Sequence, residues 1–168
     1  DYCDNVYVAG EYRNKMVFSG ANASNGTDTL SHNKKRDVFV AKITTNGDWV
    51  WAKRARSEGT DKPYQMSVDE DMQVYLAGVA GDSLRFDSNL VLSTGDTSDV
   101  AFVAQLDGSS STANWVWAKL GGGPSNDDRA GDICEDGRGN LYAVGFYEQT
   151  ANIAVSYTHL RAHETIQD

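Results

Sequence analysis

Cysteine is nearly missing from this chain: Cys3 and Cys134 are its only two. They fall two periods apart in the internal repeat described below, beyond the ~7 Å between Cα atoms that a disulfide tolerates. Both therefore read as free thiols, and cysteine usage leaves the redox compartment open. Long apolar runs are missing as well. The longest hold about five residues, far short of the ~18 that cross a bilayer as a helix. Basic charge is thin: 15 Lys and Arg stand against 24 Asp and Glu, a net charge of −9. The single basic cluster, Lys34-Lys35-Arg36, lies beside a polar stretch. Neutralising a phosphate backbone or an anionic bilayer needs a basic face. The expected partners therefore include no nucleic acid, and no membrane insertion is expected. What remains is an acidic surface typical of soluble proteins.

What is present is repetition. The block Asp1 to Gly10 returns without gaps, in similar form, as Asp69 to Gly78 and Asp136 to Gly145. Phe39-Val40-Ala41-Lys42-Ile43 returns as Phe102-Val103-Ala104-Gln105-Leu106, and Trp49-Val50-Trp51-Ala52-Lys53 returns identically at 115–119. Ordered blocks at a fixed period mean one supersecondary unit used repeatedly. The period divides the chain into a first repeat at 1–57, a complete second at 58–124 and a third at 125–154. Residue 1 is Asp and opens a repeated block, so a longer protein is expected around this sequence.

Within the second unit, Tyr64 to Val68, Gln73 to Val79, Val100 to Leu106 and Asn114 to Lys119 read as strands, rich in β-branched and aromatic residues. Asp69 to Met72 reads as a tight turn. Asp82 to Asp99 is a long polar excursion holding two apolar patches, Leu84-Arg85-Phe86 and Leu90-Val91-Leu92. Gly121-Gly122-Gly123-Pro124 punctuates the unit as a turn. Four short strands, no helical pattern and a period of about 67 match a propeller blade with one enlarged loop. The runs Val6-Tyr7-Val8-Ala9 and Ala101-Phe102-Val103-Ala104 are nearly continuous, as in strands covered on both faces. The expected fold is all-β, a fragment of a β-propeller built from four-stranded antiparallel blades.

Candidate chemistry is sparse. The tryptophan pairs 49/51 and 115/117 each share one strand face. Exposed, they would stack against sugar rings; recurring at one place in two units, they read as packing between sheets, with Trp117→Ala expected to cost about 3–5 kcal/mol. The acidic turns Asp69-Glu70-Asp71 and Asp136 to Asn140 lack the alternating ligands and terminal Glu of an EF-hand, and Asp and Asn serve turns through their own backbone. His32 reads as part of a solvated loop without an orienting partner for base catalysis. Gly121-Gly122-Gly123 lacks the Lys-Ser/Thr of a phosphate loop. Asn22 and Asn25 match the glycosylation pattern by composition alone. No catalytic, cofactor-binding or metal-ligating residue is assigned, and no cofactor is expected.

The order Asp136…Gly139-Asn140-Leu-Tyr-Ala-Val-Gly145, then Asp37-Val-Phe-Val-Ala-Lys42, then Trp-Ala-Lys, resembles the SBBP-type β-propeller repeat of bacterial and archaeal surface proteins, over residues 1–154. The resemblance implies a secreted or cell-envelope protein and a non-catalytic scaffold binding a protein or glycan ligand, completed by further blades of the same chain. It carries no catalytic residues to transfer. Two rival readings are a propeller enzyme, a glycan lyase or hydrolase with its active site in other blades, and a structural spacer of a surface adhesin. Residues 155–165 resemble a translated sequencing-library adapter, which implies that 155–168 is not native protein and makes few contacts with the rest. That tail holds His159 and His163, whose spacing would otherwise suggest a zinc site. An array left open at its ends should also bare apolar surface. Val6, Val8, Val38, Val40, Leu141 and Val144 are the residues expected on that surface.

Overall fold

The computed structural model describes residues 5–19, 29–81, 83–86, 90–93, 99–123, 127–148 and 152–153. Among these every regular element is a strand: β1 (Val6–Val17), β2 (Thr29–Ile43), β3 (Trp49–Ala55), β4 (Lys62–Val68), β5 (Gln73–Ala80), β6 (Leu84–Arg85), β7 (Val91–Leu92), β8 (Val100–Asp107), β9 (Asn114–Gly122), β10 (Arg129–Glu135), β11 (Leu141–Phe146) and β12 (Asn152–Ile153). The fold is all-β and every pairing is antiparallel. The strands form a sheet β1-β2-β3, a sheet β12-β9-β8-β5-β4, a hairpin β10-β11 and a small hairpin β6-β7. The last arises from the two apolar patches of the polar excursion. No helix among the described residues is long and apolar enough to cross a membrane. The adapter-like tail, Cys3, Asn22 and Asn25 lie outside the described residues.

The repeat recurs in the hydrogen-bond register, down to its irregularities. Gly10 pairs with Phe39, and Gly78 with Phe102. Lys42 pairs with Trp51 before the register slips to Ile43 and Trp49; Gln105 pairs with Trp117 before the same slip to Leu106 and Trp115. Pro63 pairs with Gly78 before a slip to Gln65 and Ala77; Ala130 pairs with Gly145 before the same slip to Asp132 and Val144. A β-bulge bends its strand and raises the local twist, so conserving the bulges conserves the curvature of each sheet. The first unit thus holds β1, β2 and β3. The second holds β4, β5, β8 and β9. The third holds β10 and β11, the counterparts of β4 and β5, and β12, which pairs with β9 of the second unit. Turn geometry follows: Met72 (φ 62°) and Gly139 (φ 83°) take the left-handed position in equivalent hairpins.

The sheets pack through alternate side chains. The front of the second unit (Val74, Leu76, Phe102, Ala104, Leu106, Trp115) shares a core with the back of the first (Val38, Val40, Trp51, Ala55). The back of the second (Tyr75, Ala77, Val103, Trp117) shares another with Ala130, Ile133 and Leu141 of the third. The front of the first unit carries its own cluster around Tyr12, Phe18, Phe39 and Trp49. Each complete front face holds an aromatic triad. Phe18 lies 5.8 Å from Phe39 and 4.9 Å from Trp49 between ring centroids; Phe86 lies 6.1 Å from Phe102 and 4.8 Å from Trp115.

Three expectations change. Val38 and Val40 are fully buried, because they point back onto the second unit, whereas Val6 and Val144 are exposed and Val8 and Leu141 partly covered. Gly121 and Gly122 continue β9 rather than turn; a Cβ on Gly122 would meet the Asp128 carboxylate at 2.6 Å, so the small residues admit a buried acid. His32 belongs to β2, opposite Asn14, not to a loop.

The tryptophans are buried by their neighbours rather than by their place in the unit. Trp49 and Trp115 are register equivalents, as are Trp51 and Trp117. Yet Trp51 and Trp115 are buried, at 0% and 7% exposure, while Trp49 and Trp117 are half-buried. The buried pair lies between the first and second units. The other two face either no described unit or only a two-stranded one. The full cost of removing a core aromatic therefore belongs to Trp51. Trp51→Ala is expected to lower stability by about 3–5 kcal/mol and Trp117→Ala by clearly less, as urea unfolding of the two variants will show.

Candidate functional site

Two polar features and one apolar cleft stand out from the packing. The first polar feature is a buried carboxylate repeated at the junctions between units. Asp61 and Asp128 are both fully buried and stand one period apart. The Asp61 amide donates to the carbonyl of Arg36 in the first unit (2.9 Å), and its Oδ1 accepts from Ser57 Oγ (2.8 Å) and the Gly81 amide (3.1 Å). The Asp128 amide donates to the carbonyl of Asp99 in the second unit (3.4 Å), and its oxygens accept from the amides of Gly123 (2.6 Å) and Glu148 (2.8 Å). Gly81 and Glu148 are equivalent positions just beyond β5 and β11. Each aspartate thus ties the end of one unit to the start of the next. The sequence reading passed over this pair, although its spacing equals the repeat period and was a usable signal.

The second polar feature is the acidic rim formed by the β4–β5 and β10–β11 turns. Asp69, Glu70 and Asp71 face Glu135, Gly137, Arg138 and Gly139 across a depression of about 380 Å³. Its carboxylates serve their own turns. Asp136 accepts from the amides of Arg138 and Asn140 and from the Asn140 side chain, and Glu135 from the amides of Gly137 and Gly139. The Asn140 hydrogen bond is the chief cause holding the Asp136 carboxyl below its ordinary range. Asp69 accepts from the Gln73 amide and the Tyr75 hydroxyl. Burial, followed by that bond to Asp69, pushes the Tyr75 hydroxyl upward. Among the described residues no three His, Cys, Asp or Glu are grouped to hold a metal ion. Cys134, on β10, is a free and exposed thiol.

The apolar cleft lies between the back of β8-β9 and the hairpin β10-β11, and encloses about 400 Å³. Ala101, Val103 and Gly121 form one wall; Ala130, Ala143 and Gly145 form the other. Among the described residues β11 is an edge of its two-stranded sheet. The outer face of the same strand is bare: Tyr142, Val144 and Phe146 are 57%, 66% and 48% exposed, whereas their equivalents Tyr75, Ala77 and Val79 are at 7%, 0% and 6%. The row stands beside a strand edge that is unpaired among the described residues, and bare apolar rows of this kind are prone to association. The tryptophans, weighed as a sugar platform, do not form one: the repeated bulge sets Trp49 and Trp51, and likewise Trp115 and Trp117, on opposite faces rather than on the one face expected. Trp115 is buried, and its indole Nε1 donates to the Arg54 carbonyl of the first unit (3.3 Å).

The junction acid generates a pH dependence of known sign. Burial pushes the Asp61 carboxyl up to about 7, against the pull of Ser57 and Gly81, and the nearby Asp37 adds to the rise. An unfolded aspartate titrates near 3.9 (roughly). The folded value is the higher, so the proton-linked stability is fully present below the unfolded value and is lost as pH rises through about 7. Relative to Asp61→Asn, the wild-type chain should therefore lose stability between pH 5 and pH 8. Urea midpoints of both proteins at the two pH values test this; a constant gap would mean that Asp61 titrates normally.

No protein-family model matches this chain, and no curated protein matches it.

Proposed function

We propose that the chain is part of a β-propeller array of the SBBP type, acting as a non-catalytic interaction scaffold at the cell surface or envelope. The observation that carries this reading is the recurring register. A four-stranded meander, β4-β5-β8-β9, repeats its pairings and its bulges in the strands before and after it. Each unit stacks on the next through apolar faces, as propeller blades do. The buried acids hold backbone amides at unit junctions instead of opening into a cleft, which suits a scaffold better than a reaction centre. The localisation follows the sequence resemblance, and the ligand class is a protein or glycan met by the surface loops and faces.

Repeat arrays draw their stability from neighbour interfaces. With the row Tyr142, Val144 and Phe146 uncovered, the chain by itself should associate. Sedimentation velocity across a concentration series is expected to show oligomers, reduced in a Val144→Lys, Phe146→Lys double variant. A monodisperse wild-type monomer with a single cooperative urea transition would mark a self-sufficient domain and remove the array reading.

A further inference from the structure

Two of the three repeat glycines carry a phenylalanine. Phe39 lies opposite Gly10 and Phe102 opposite Gly78, and a Cβ added to either glycine would meet the phenylalanine ring at 2.8 Å. The ring occupies the space a side chain would take. The third glycine, Gly145, is held in the same way by its hairpin partner: a Cβ there would meet the Arg129 carbonyl at 2.3 Å, as one on Gly78 would meet the Lys62 carbonyl at 2.1 Å. The atoms nearest to the Gly145 site are backbone of β10, and no aromatic ring is among them. Gly145 instead lines the 400 Å³ cleft.

The far wall of the cleft is also a register copy of a filled site. Phe102 belongs to the core that contains Val38, Val40 and Ala55 of the first unit. Their equivalents in the second unit are Ala101, Val103 and Gly121, set by the pairs Val38–Ala55 and Ala101–Gly121. All three line the cleft. The strand edge matches as well. β5 is bonded on both sides, by β4 and β8, whereas among the described residues β11 is bonded only by β10. Glycine seat, apolar wall and open edge therefore reproduce the surroundings of a β8-type strand.

We propose that this cleft binds an extended polypeptide strand, antiparallel to β11, with a phenylalanine seated on Gly145. The occupant is the β8-type strand that the register assigns to the third unit itself, of the pattern Val/Ala-Phe-Val-Ala followed by Lys or Gln and then Ile or Leu. By the register of the second unit, the Val after Phe lies opposite Val144, the Ala opposite Ala143 and the polar residue opposite Tyr142. Main-chain hydrogen bonds supply affinity, and the alternate side-chain seat supplies specificity, as in strand addition generally. The proposal rests on the reading of the chain as an open array.

The probe is a fluorescein-labelled peptide of residues 37–43, titrated with the full chain below the concentration at which copies associate. Gly145→Val would also push against β10, so the need for the ring is tested on the peptide. Saturable binding is expected, weakened about tenfold or more by Phe39→Ser in the peptide. Hydrogen exchange is expected to slow at Leu141 to Phe146. Equal binding of the wild-type, Phe39→Ser and scrambled peptides would overturn the assignment, as would protection confined to the edges of β1 or β4. If the peptide dissolves the association of copies, a second copy fills the cleft and the assignment to the third unit's own strand falls. A monomeric, cooperatively folding chain would remove the array reading; binding that depends on Phe39 in that sample would still support the strand site at Gly145, and no binding there would overturn it.

Discussion

The stack depends on a phenylalanine ring lying over a glycine of the neighbouring strand. At Gly10–Phe39 and Gly78–Phe102 the ring fills the place of a side chain that glycine lacks. A Cβ at either glycine would meet the ring, and at Gly78 it would also meet the Lys62 carbonyl. The ring also anchors the aromatic triads with Phe18 and Trp49, and with Phe86 and Trp115. Interiors are close-packed, so a displaced ring would open the space between one sheet and the next. The glycine is therefore required by close approach, not by a left-handed backbone.

Burial in this molecule is a property of neighbours. Trp51 and Trp117 hold equivalent positions and differ only in what covers them, as do Tyr75 and Tyr142. A single sheet of this kind has two apolar faces and cannot hide both alone. Each added unit covers one face and presents another. Among the described residues the surfaces left uncovered are the outer face of β11, its edge and the cleft behind it.

Polar groups set the junctions. Asp61 and Asp128 each collect part-buried backbone amides from strand ends, and an amide taken from water without a partner is costly. The cost reappears in the acid itself, since one oxygen of Asp61 has no hydrogen-bond partner and its carboxyl is pushed upward by burial. Lys42 makes a related bridge: its buried ammonium donates to the Gly108 carbonyl at 3.4 Å and lies 5.3 Å from the Tyr7 ring. At the equivalent Gln105 the amide instead reaches Gln73, within its own sheet. The departure from Lys to Gln in the repeat thus replaces a link between units with one inside a unit.

The amino-acid order by itself determined the strands, their antiparallel sequence and the period, because spacing along a chain is enough to reveal a recurring unit. It also marked the tryptophans as packing residues. Which face each strand presents was beyond its reach: near-continuous apolar runs such as Val38-Phe39-Val40-Ala41 carry no alternation, so Val38 and Val40 were placed on the bare surface although they lie in the core. The triple glycine read as a turn because the carboxylate that requires it, Asp128, approaches only in the folded chain. His32 entered a strand because pairing with β1 outweighed local polarity. The cleft at Gly145 was equally invisible, since its two walls, β8-β9 and β10-β11, meet only in the folded chain. Tertiary structure decided these points because burial and cavities arise from what lies opposite a residue, and a sequence records only what lies beside it.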